Sequence, residues 1–182
     1  MSHASAKQQR KTFWIVATFA VLVIVSVGSL MGYLSNSGYG NAWFDALDLP
    51  EITPPGWVFG AVWTVLYVMM GLSVAKILTT FDAGGRGFAL ILFYVQLGAN
   101  YAWTPIFFGE QKVTLALYLI VFILMVTIAT TFAFARISKA AAWLLVPYMI
   151  WLSFASILNY QIDQRNPDAE TLVPSGQTSQ MG

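Results

Sequence analysis

Five long stretches of apolar residues constrain this chain more than any other feature of its sequence. They cover residues 13–33, 57–77, 88–108, 113–134 and 141–162. A helix needs about 20 apolar residues to cross about 30 Å of hydrocarbon, so each stretch is long enough for one crossing. None of them alternates between apolar and polar positions, as the strands of a membrane barrel would. The sequence therefore predicts an all-α membrane protein, a single five-helix transmembrane bundle spanning residues 13–162.

Composition supports lipid as the solvent of this bundle. Hydrophobic residues make up 58% of the 182 residues and charged residues only 9%, whereas soluble domains carry about 25% charged residues. A soluble chain of this length still exposes much of its surface to water and could not hide so many apolar side chains. Residues 1–12 form a polar tail, and residues 163–182, rich in Ser, Gln, Pro and Gly, are predicted to be disordered.

The connection 34–56 is the longest in the chain and contains several Gly and Pro residues. Connections of this length are commonly lids or binding loops, although a simple tether remains the alternative.

The first apolar stretch follows Lys7, Arg10 and Lys11, so a signal peptide is an alternative to a permanent membrane span. Its length and the lack of a small-x-small cleavage site favour a permanent span.

The distribution of basic residues predicts the orientation of the bundle. Seven of the nine Lys and Arg residues lie on the amino-terminal side of the predicted bundle: Lys7, Arg10, Lys11, Lys76, Arg86, Arg136 and Lys139. Only Lys112 and Arg165 lie on the opposite side. The positive-inside rule therefore predicts a cytoplasmic amino terminus if the protein is inserted in an inner membrane.

Several function classes lack the residues they need. The net charge is +1 and the basic residues form no stripe with exposed aromatics, so nucleic acid is not a predicted partner. The chain has no cysteine and one histidine, His3, in a polar tail, so no metal site is predicted. No Asp, Glu, Arg or His lies inside the apolar stretches, which argues against an ion-coupled carrier. No residue set for hydrolytic or kinase chemistry is present.

Seven tryptophans fall into two groups by their position in the predicted helices. Four lie near span ends and are predicted to be interfacial anchors: Trp14, Trp43, Trp57 and Trp143. The other three, Trp63, Trp103 and Trp151, are deeper or lie beside polar residues. Flat aromatic faces with a few hydrogen-bond donors suit a large planar apolar ligand, with helix packing as the alternative.

Three amides in the third and fifth stretches need partners in hydrocarbon: Gln96, Asn100 and Asn159. They could join helices directly or face a ligand, and the sequence leaves both roles open. Small residues spaced four apart permit close helix contact. On this basis we expect a homodimer through Gly98 and Ala102, in preference to Gly28 and Gly32.

Six short motifs occur in order between Trp43 and Asn166. They are Trp43 to Leu47, Pro54 to Gly60, Val62 to Thr64 with Leu66-Tyr67, Gln96-Leu97 with Asn100, Trp103 to Gly109, and Val146 to Tyr148 with Trp151, Ala155 and Leu158 to Tyr160. In this order they resemble the translocator protein family, also called tryptophan-rich sensory proteins or peripheral benzodiazepine receptors, and in particular its bacterial members. The family is a five-helix membrane fold, which agrees with the five stretches found independently.

The resemblance implies a membrane receptor or translocator, with a sensory or regulatory role, that binds protoporphyrin IX and haem-related tetrapyrroles. It also implies sterols as ligands in some members, and synthetic isoquinoline carboxamides and benzodiazepines. The porphyrin is a ligand, and no cofactor is implied. The implied ligand-binding residues are Trp63, Asn100, Trp103, Trp151, Ala155 and Leu158. Trp63 and Trp151 match the two tryptophans tied, in some bacterial members, to light-dependent porphyrin breakdown.

Two alternatives to a receptor therefore stay open: a light-dependent porphyrin-degrading enzyme and a passive carrier of sterol or porphyrin. The loose sterol pattern of Leu or Val, then Tyr, then a basic residue is met by Leu158, Tyr160 and Arg165. The chain departs from many family members in having Leu49 where they have Lys. It also has Gln164 where vertebrate members have the basic residue, so the resemblance does not imply strong sterol binding.

Overall fold

Five long helices and one short helix make up the fold of residues 5–172, the part of the chain that the computed structural model describes. They are α1 (Ala6–Leu34), α2 (Ala42–Asp45), α3 (Gly56–Leu78), α4 (Arg86–Thr104), α5 (Val113–Ala135) and α6 (Lys139–Arg165). The five long helices confirm the predicted all-α five-helix bundle. A helix satisfies all its backbone hydrogen bonds within one segment, which is why it can span hydrocarbon.

Four of the long helices, all except α4, are long and apolar enough to cross a membrane by length and composition. Helix α4 has 19 residues and contains Gln96 and Asn100, which lower its hydropathy. It continues directly into a π-helical segment, Pro105–Gly109. The protein is therefore a multi-pass membrane protein.

The helices pack side by side in the order α1, α3, α6, α5 and α4, and α4 closes the bundle against α1. Close approach of α1 and α3 depends on a glycine. A Cβ at Gly71 would lie 2.8 Å from the Cα of Val21, a distance that real side chains do not allow. Polar side chains link other helices, as where the Ser73 hydroxyl of α3 donates to the carbonyl of Ala141 in α6 at 2.8 Å.

Two helix ends differ from the boundaries predicted by hydropathy. Helix α1 begins at Ala6, inside the predicted polar tail 1–12, because Ser5 caps it and its Lys, Arg and Gln residues favour helix. Helix α6 continues to Arg165 and is followed by a short 3₁₀ turn, Ala169–Thr171. The prediction of disorder is thus wrong for residues 163–172, and residues 173–182 lie outside the described part of the chain.

Trp43 corrects the prediction of four interfacial tryptophans. Trp14, Trp57 and Trp143 are exposed on the outside of the bundle, as expected for residues that face lipid or headgroups. Trp43 is only 2% exposed. It lies in α2, within the predicted loop 34–56, where the Asn41 side chain accepts from the Trp43 and Phe44 amides and starts the helix. The indole nitrogen of Trp43 donates to the carbonyl of Ala169 at 2.8 Å and its ring packs against Phe107, so this residue is part of a core.

Candidate functional site

A cavity of about 520 Å³ lies between the helices at the end of the bundle that loop 34–56 covers. Its wall is formed by Gly28, Ser29 and Gly32 of α1, Tyr39 and Phe44 of the loop, Phe59, Gly60, Trp63, Thr64 and Tyr67 of α3, Trp103, Thr104, Phe107 and Phe108 around the end of α4, Ile120 of α5, and Trp151, Ala155, Leu158, Asn159 and Ile162 of α6. Within the described residues this wall has no charged side chain. The volume lies in the range of about 300–1,000 Å³ that small-molecule sites occupy.

Five of the six predicted site residues line this cavity together: Trp63, Trp103, Trp151, Ala155 and Leu158. They come from three different helices, so only the packed bundle brings them together. On α6 the three residues recur every three or four positions and therefore share one helix face. The helical spacing of these α6 residues thus predicts the same face that the packed bundle turns towards the cavity.

Asn100 is the predicted site residue that lies behind the wall. It lines a small adjoining cavity of about 10 Å³ together with Trp63 and Trp103. Its Oδ1 accepts from the Tyr67 hydroxyl at 3.0 Å, and its Nδ2 donates to the Tyr148 hydroxyl oxygen at 3.0 Å. Asn100 therefore joins α3, α4 and α6, and it fixes the Tyr67 ring that faces the main cavity.

Hydrogen bonds and ring contacts hold the tryptophans of the wall. The Trp103 indole nitrogen donates to the carbonyl of Ala116 in α5 at 3.1 Å, and its ring stacks on Phe107 with centroids 4.8 Å apart. Trp63 lies 5.4 Å from the Tyr67 ring. Trp151 meets Phe59 edge to face at 5.8 Å. These contacts give the cavity preformed aromatic walls.

Two buried polar atoms belonging to wall residues have no hydrogen-bond partner in the described part of the chain. They are the indole nitrogen of Trp151, a donor, and Oδ1 of Asn159, an acceptor. The Asn159 Nδ2 donates to the carbonyl of Val113 at 3.1 Å, so this amide joins α6 to α5 through one of its two ends. An unmade hydrogen bond in an apolar setting is costly, and a ligand group that met either atom would be favoured.

The three residues of the sterol pattern do not come together. Leu158 is buried and lines the cavity, whereas Tyr160 is 53% exposed on the outside of α6. Arg165 forms an ion pair with Asp48 of the loop, with 3.5 Å between nitrogen and oxygen. Positions 158 and 160 are about 200° apart around a helix, which separates their side chains.

Several wall residues were not predicted from the sequence. Phe59 and Tyr67 lie four residues before and after Trp63, on the same face of α3, so helical spacing alone could have indicated them. Tyr39 and Phe44 lie in the loop, where no periodicity applies. Among residues 5–172, no three of His, Asp and Glu come close enough to hold a metal ion.

Comparison with known proteins identifies the family of this five-helix, tryptophan-lined bundle. Residues 19–165 match the TspO/MBR family. The chain belongs to the TspO/MBR family. The match covers most of the chain and confirms the resemblance found in the motifs between Trp43 and Asn166.

Named relatives of this TspO/MBR protein come from bacteria and animals. It is 43% identical over 126 residues to the tryptophan-rich protein TspO of Chlorobaculum tepidum, covering 69% of this chain and 80% of the relative. It is 36% identical over 124 residues to the tryptophan-rich sensory protein of Cereibacter sphaeroides, covering 68% and 77%. It is 37% identical over 145 residues to the human translocator protein, covering 78% and 85%.

Proposed function

We propose that this TspO/MBR protein is a membrane receptor or translocator that binds tetrapyrroles such as protoporphyrin IX, with a sensory or regulatory role. The observation that carries the proposal is the cavity of about 520 Å³ with Trp63, Trp103 and Trp151 in its wall. A planar apolar macrocycle gains most from such a site because it can stack on several aromatic faces at once. The names of the relatives, tryptophan-rich sensory protein and translocator protein, agree with a sensory or translocating role.

The polarity of the cavity suggests how a tetrapyrrole would lie in it. No charged side chain lines the described wall, and an unpaired carboxylate is costly to bury. The acid groups of a porphyrin would therefore lie at the mouth of the site, where water reaches them, because loop 34–56 carries Asp45, Asp48 and Glu51 and no Lys or Arg to pair with them. The macrocycle would extend towards Trp63 and Trp151, whose unpartnered indole nitrogen could donate to it.

Sterols, isoquinoline carboxamides and benzodiazepines are further proposed ligands of the same cavity. All are apolar molecules of a size that the cavity volume admits. We expect sterols to bind more weakly than tetrapyrroles, because Tyr160 of the sterol pattern faces outward, away from the cavity that Leu158 lines.

Titration of the purified protein in lipid nanodiscs tests this proposal. Protoporphyrin IX, haem and cholesterol would be added separately while tetrapyrrole absorbance or tryptophan fluorescence is followed. We expect saturable binding of one tetrapyrrole per chain and weaker binding of cholesterol. Binding that never saturates, or that equals partition into protein-free nanodiscs, would rule the receptor out.

Light-dependent porphyrin breakdown is the second proposed function. Trp63 and Trp151 both line the cavity, so a bound macrocycle would lie beside two indoles that can exchange excitation or electrons with it. Loss of the porphyrin absorption band under illumination, and its persistence in the dark, would distinguish this enzyme from a receptor. Flux of porphyrin or sterol into protein-loaded vesicles would instead indicate a passive carrier.

We further propose that the protein forms a homodimer with its amino terminus in the cytoplasm. Gly98 is exposed on α4, and a Cβ built there would meet no atom within 4 Å. Gly28 instead packs against Tyr67 inside the protomer. The α4 face with Gly98 and Ala102 is thus open to a second chain, which favours it as the dimer contact.

A further inference from the structure

Loop 34–56 forms the cover of the cavity. Tyr39 and Phe44 of this loop belong to the cavity wall. Tyr39 lies between Gly38 and Gly40, whose φ angles of +100° and +92° suit glycine and turn the chain over the opening. The Phe44 ring packs 5.2 Å from Phe108 at the end of α4.

A segment distant in sequence holds this cover in place. Asn166, just after α6, forms a reciprocal pair with the backbone of Asp48: its Oδ1 accepts from the Asp48 amide at 2.8 Å, and its Nδ2 donates to the Asp48 carbonyl at 3.1 Å. Three residues later, the carbonyl of Ala169 accepts from the Trp43 indole nitrogen at 2.8 Å. Asn166, Ala169 and Trp43 are all buried.

These contacts connect the segment 166–172 to the loop at two separate points, Asp48 and Trp43. The Trp43 bond is buried and the two Asn166 bonds are partly buried, and such bonds cost more to break than exposed ones, because water reaches the freed groups poorly. The neighbouring Arg165–Asp48 ion pair is exposed on both sides, so it adds little. The loop cannot lift from the cavity without breaking the Asn166 pair and the Trp43 bond.

We propose that the segment 166–172 holds loop 34–56 closed over the cavity, and that Asn166 is the positioning residue that sets how fast a ligand enters and leaves. The part that concerns ligand exchange rests on the proposed tetrapyrrole binding, whereas closure of the loop does not. Weakening the segment raises the fraction of open protein with and without ligand. The rates of association and dissociation therefore increase together, and the dissociation constant changes less than either rate.

The first test compares exchange of protoporphyrin IX in the full-length protein in nanodiscs. Loaded protein is mixed with an excess of ligand-free liposomes, and recovery of tryptophan fluorescence gives the dissociation rate. We expect Asn166→Leu to raise this rate by about ten-fold, and Trp43→Phe, which keeps a ring but loses the indole N–H, by about three-fold. Thr171→Val is the matched control, because the Thr171 hydroxyl donates only to Asp168 within the same segment.

A second measurement needs no ligand and follows the loop directly. Amide hydrogen exchange in residues 40–48 should become at least about ten-fold faster in Asn166→Leu and remain unchanged in Thr171→Val. Because the chain contains no cysteine, the double variant Asp48→Cys with Asn166→Cys has only two thiols. If these form a disulfide, dissociation of protoporphyrin IX should fall below the wild-type rate, and on reduction it should rise above that rate, because the reduced variant lacks the Asn166 amide. This variant also covers the case in which Asn166→Leu does not fold.

The outcomes separate this inference from the proposed function. Unchanged loop exchange in folded Asn166→Leu would overturn the inference, whatever the protein binds. A dissociation rate within about two-fold of wild type, with faster loop exchange, would also overturn it, because the ligand would then leave by a route that does not require the loop to open. Failure of wild-type protein to bind any tetrapyrrole would refute the proposed function and leave the loop measurement to decide on closure.

Discussion

The ring of Tyr67 lies directly against the backbone of α1 at Gly28, and a Cβ at position 28 would overlap it. This contact lets α1 approach α3 beside the cavity. It also places the Tyr67 hydroxyl 3.0 Å from Oδ1 of Asn100, where it donates a hydrogen bond. Gly28 thus contributes, with Gly71, to the packing of α1 on α3, and it also sets the position of an aromatic wall residue.

Replacement of Gly28 by alanine should therefore destabilise the protein. The Tyr67 ring must move away and give up its bond to Asn100, at a cost of about 1–3 kcal/mol for overpacking. Thermal unfolding in detergent measures the effect. Gly60→Ala is the control, since a Cβ there meets no atom within 4 Å, and alanine gains up to about 1 kcal/mol in helix propensity. Equal stability of the two variants would contradict the role of Gly28.

Replacement of the deep tryptophans should weaken tetrapyrrole binding while leaving the protein folded. In Trp63→Ala and Trp151→Ala, loss of stacking alone removes about 0.5–1.5 kcal/mol, a several-fold decrease in affinity. Titration with protoporphyrin IX measures it. Trp57→Ala is the matched control, because Trp57 is 75% exposed on the outside of α3. If Trp57→Ala weakens binding equally, the tetrapyrrole site lies elsewhere.

Asn100→Leu separates a structural role from a ligand contact. The substitution leaves the hydroxyls of Tyr67 and Tyr148 without their amide partner and should destabilise the fold by about 1–3 kcal/mol. Affinity for protoporphyrin IX should fall only slightly, because the substitution would affect the ligand only through displacement of the Tyr67 ring. A large loss of affinity with full thermal stability would instead indicate that Asn100 contacts the ligand directly.

Bulky substitution of α4 should disrupt the proposed dimer. Gly98→Ile places a branched side chain on an exposed face where small residues allow helices to approach, and we expect the monomer fraction in nanodiscs or by cross-linking to rise. Leu115→Ile, on an exposed face of α5, is the control. An unchanged oligomer in Gly98→Ile would exclude this face as the contact.

Reporter fusions at Gln8 and Gln177 test the orientation. Five crossings predict that the two ends lie on opposite sides of the membrane, and the seven-to-two distribution of basic residues predicts that Gln8 is cytoplasmic if the protein is inserted in an inner membrane. A cytoplasmic reporter should be active only at Gln8, and a periplasmic reporter only at Gln177. Activity of one reporter at both sites would contradict an odd number of crossings.

The sequence by itself determined that this chain is a bundle of membrane helices. Uncharged apolar stretches such as 113–134 are long enough to cross hydrocarbon, and a lone helix satisfies its backbone in lipid without help from the rest of the chain. Hydropathy predicted the helix ends less well. Helix α1 begins at Ala6, seven residues before the apolar stretch. Lys, Arg and Gln have high helix propensity in water, so the helix extends beyond the hydrocarbon.

Only the tertiary structure decided which polar and aromatic residues face the cavity. Asn100 and Trp103 lie three positions apart on α4, yet only Trp103 lines the main cavity. The Asn100 side chain is hydrogen-bonded to the hydroxyls of two tyrosines from other helices. Trp43 has the sequence surroundings of an interfacial residue but is buried, because the carbonyl of Ala169, 126 positions away, accepts its indole proton. Such partners are selected by packing between distant segments, and no local pattern in the sequence records them.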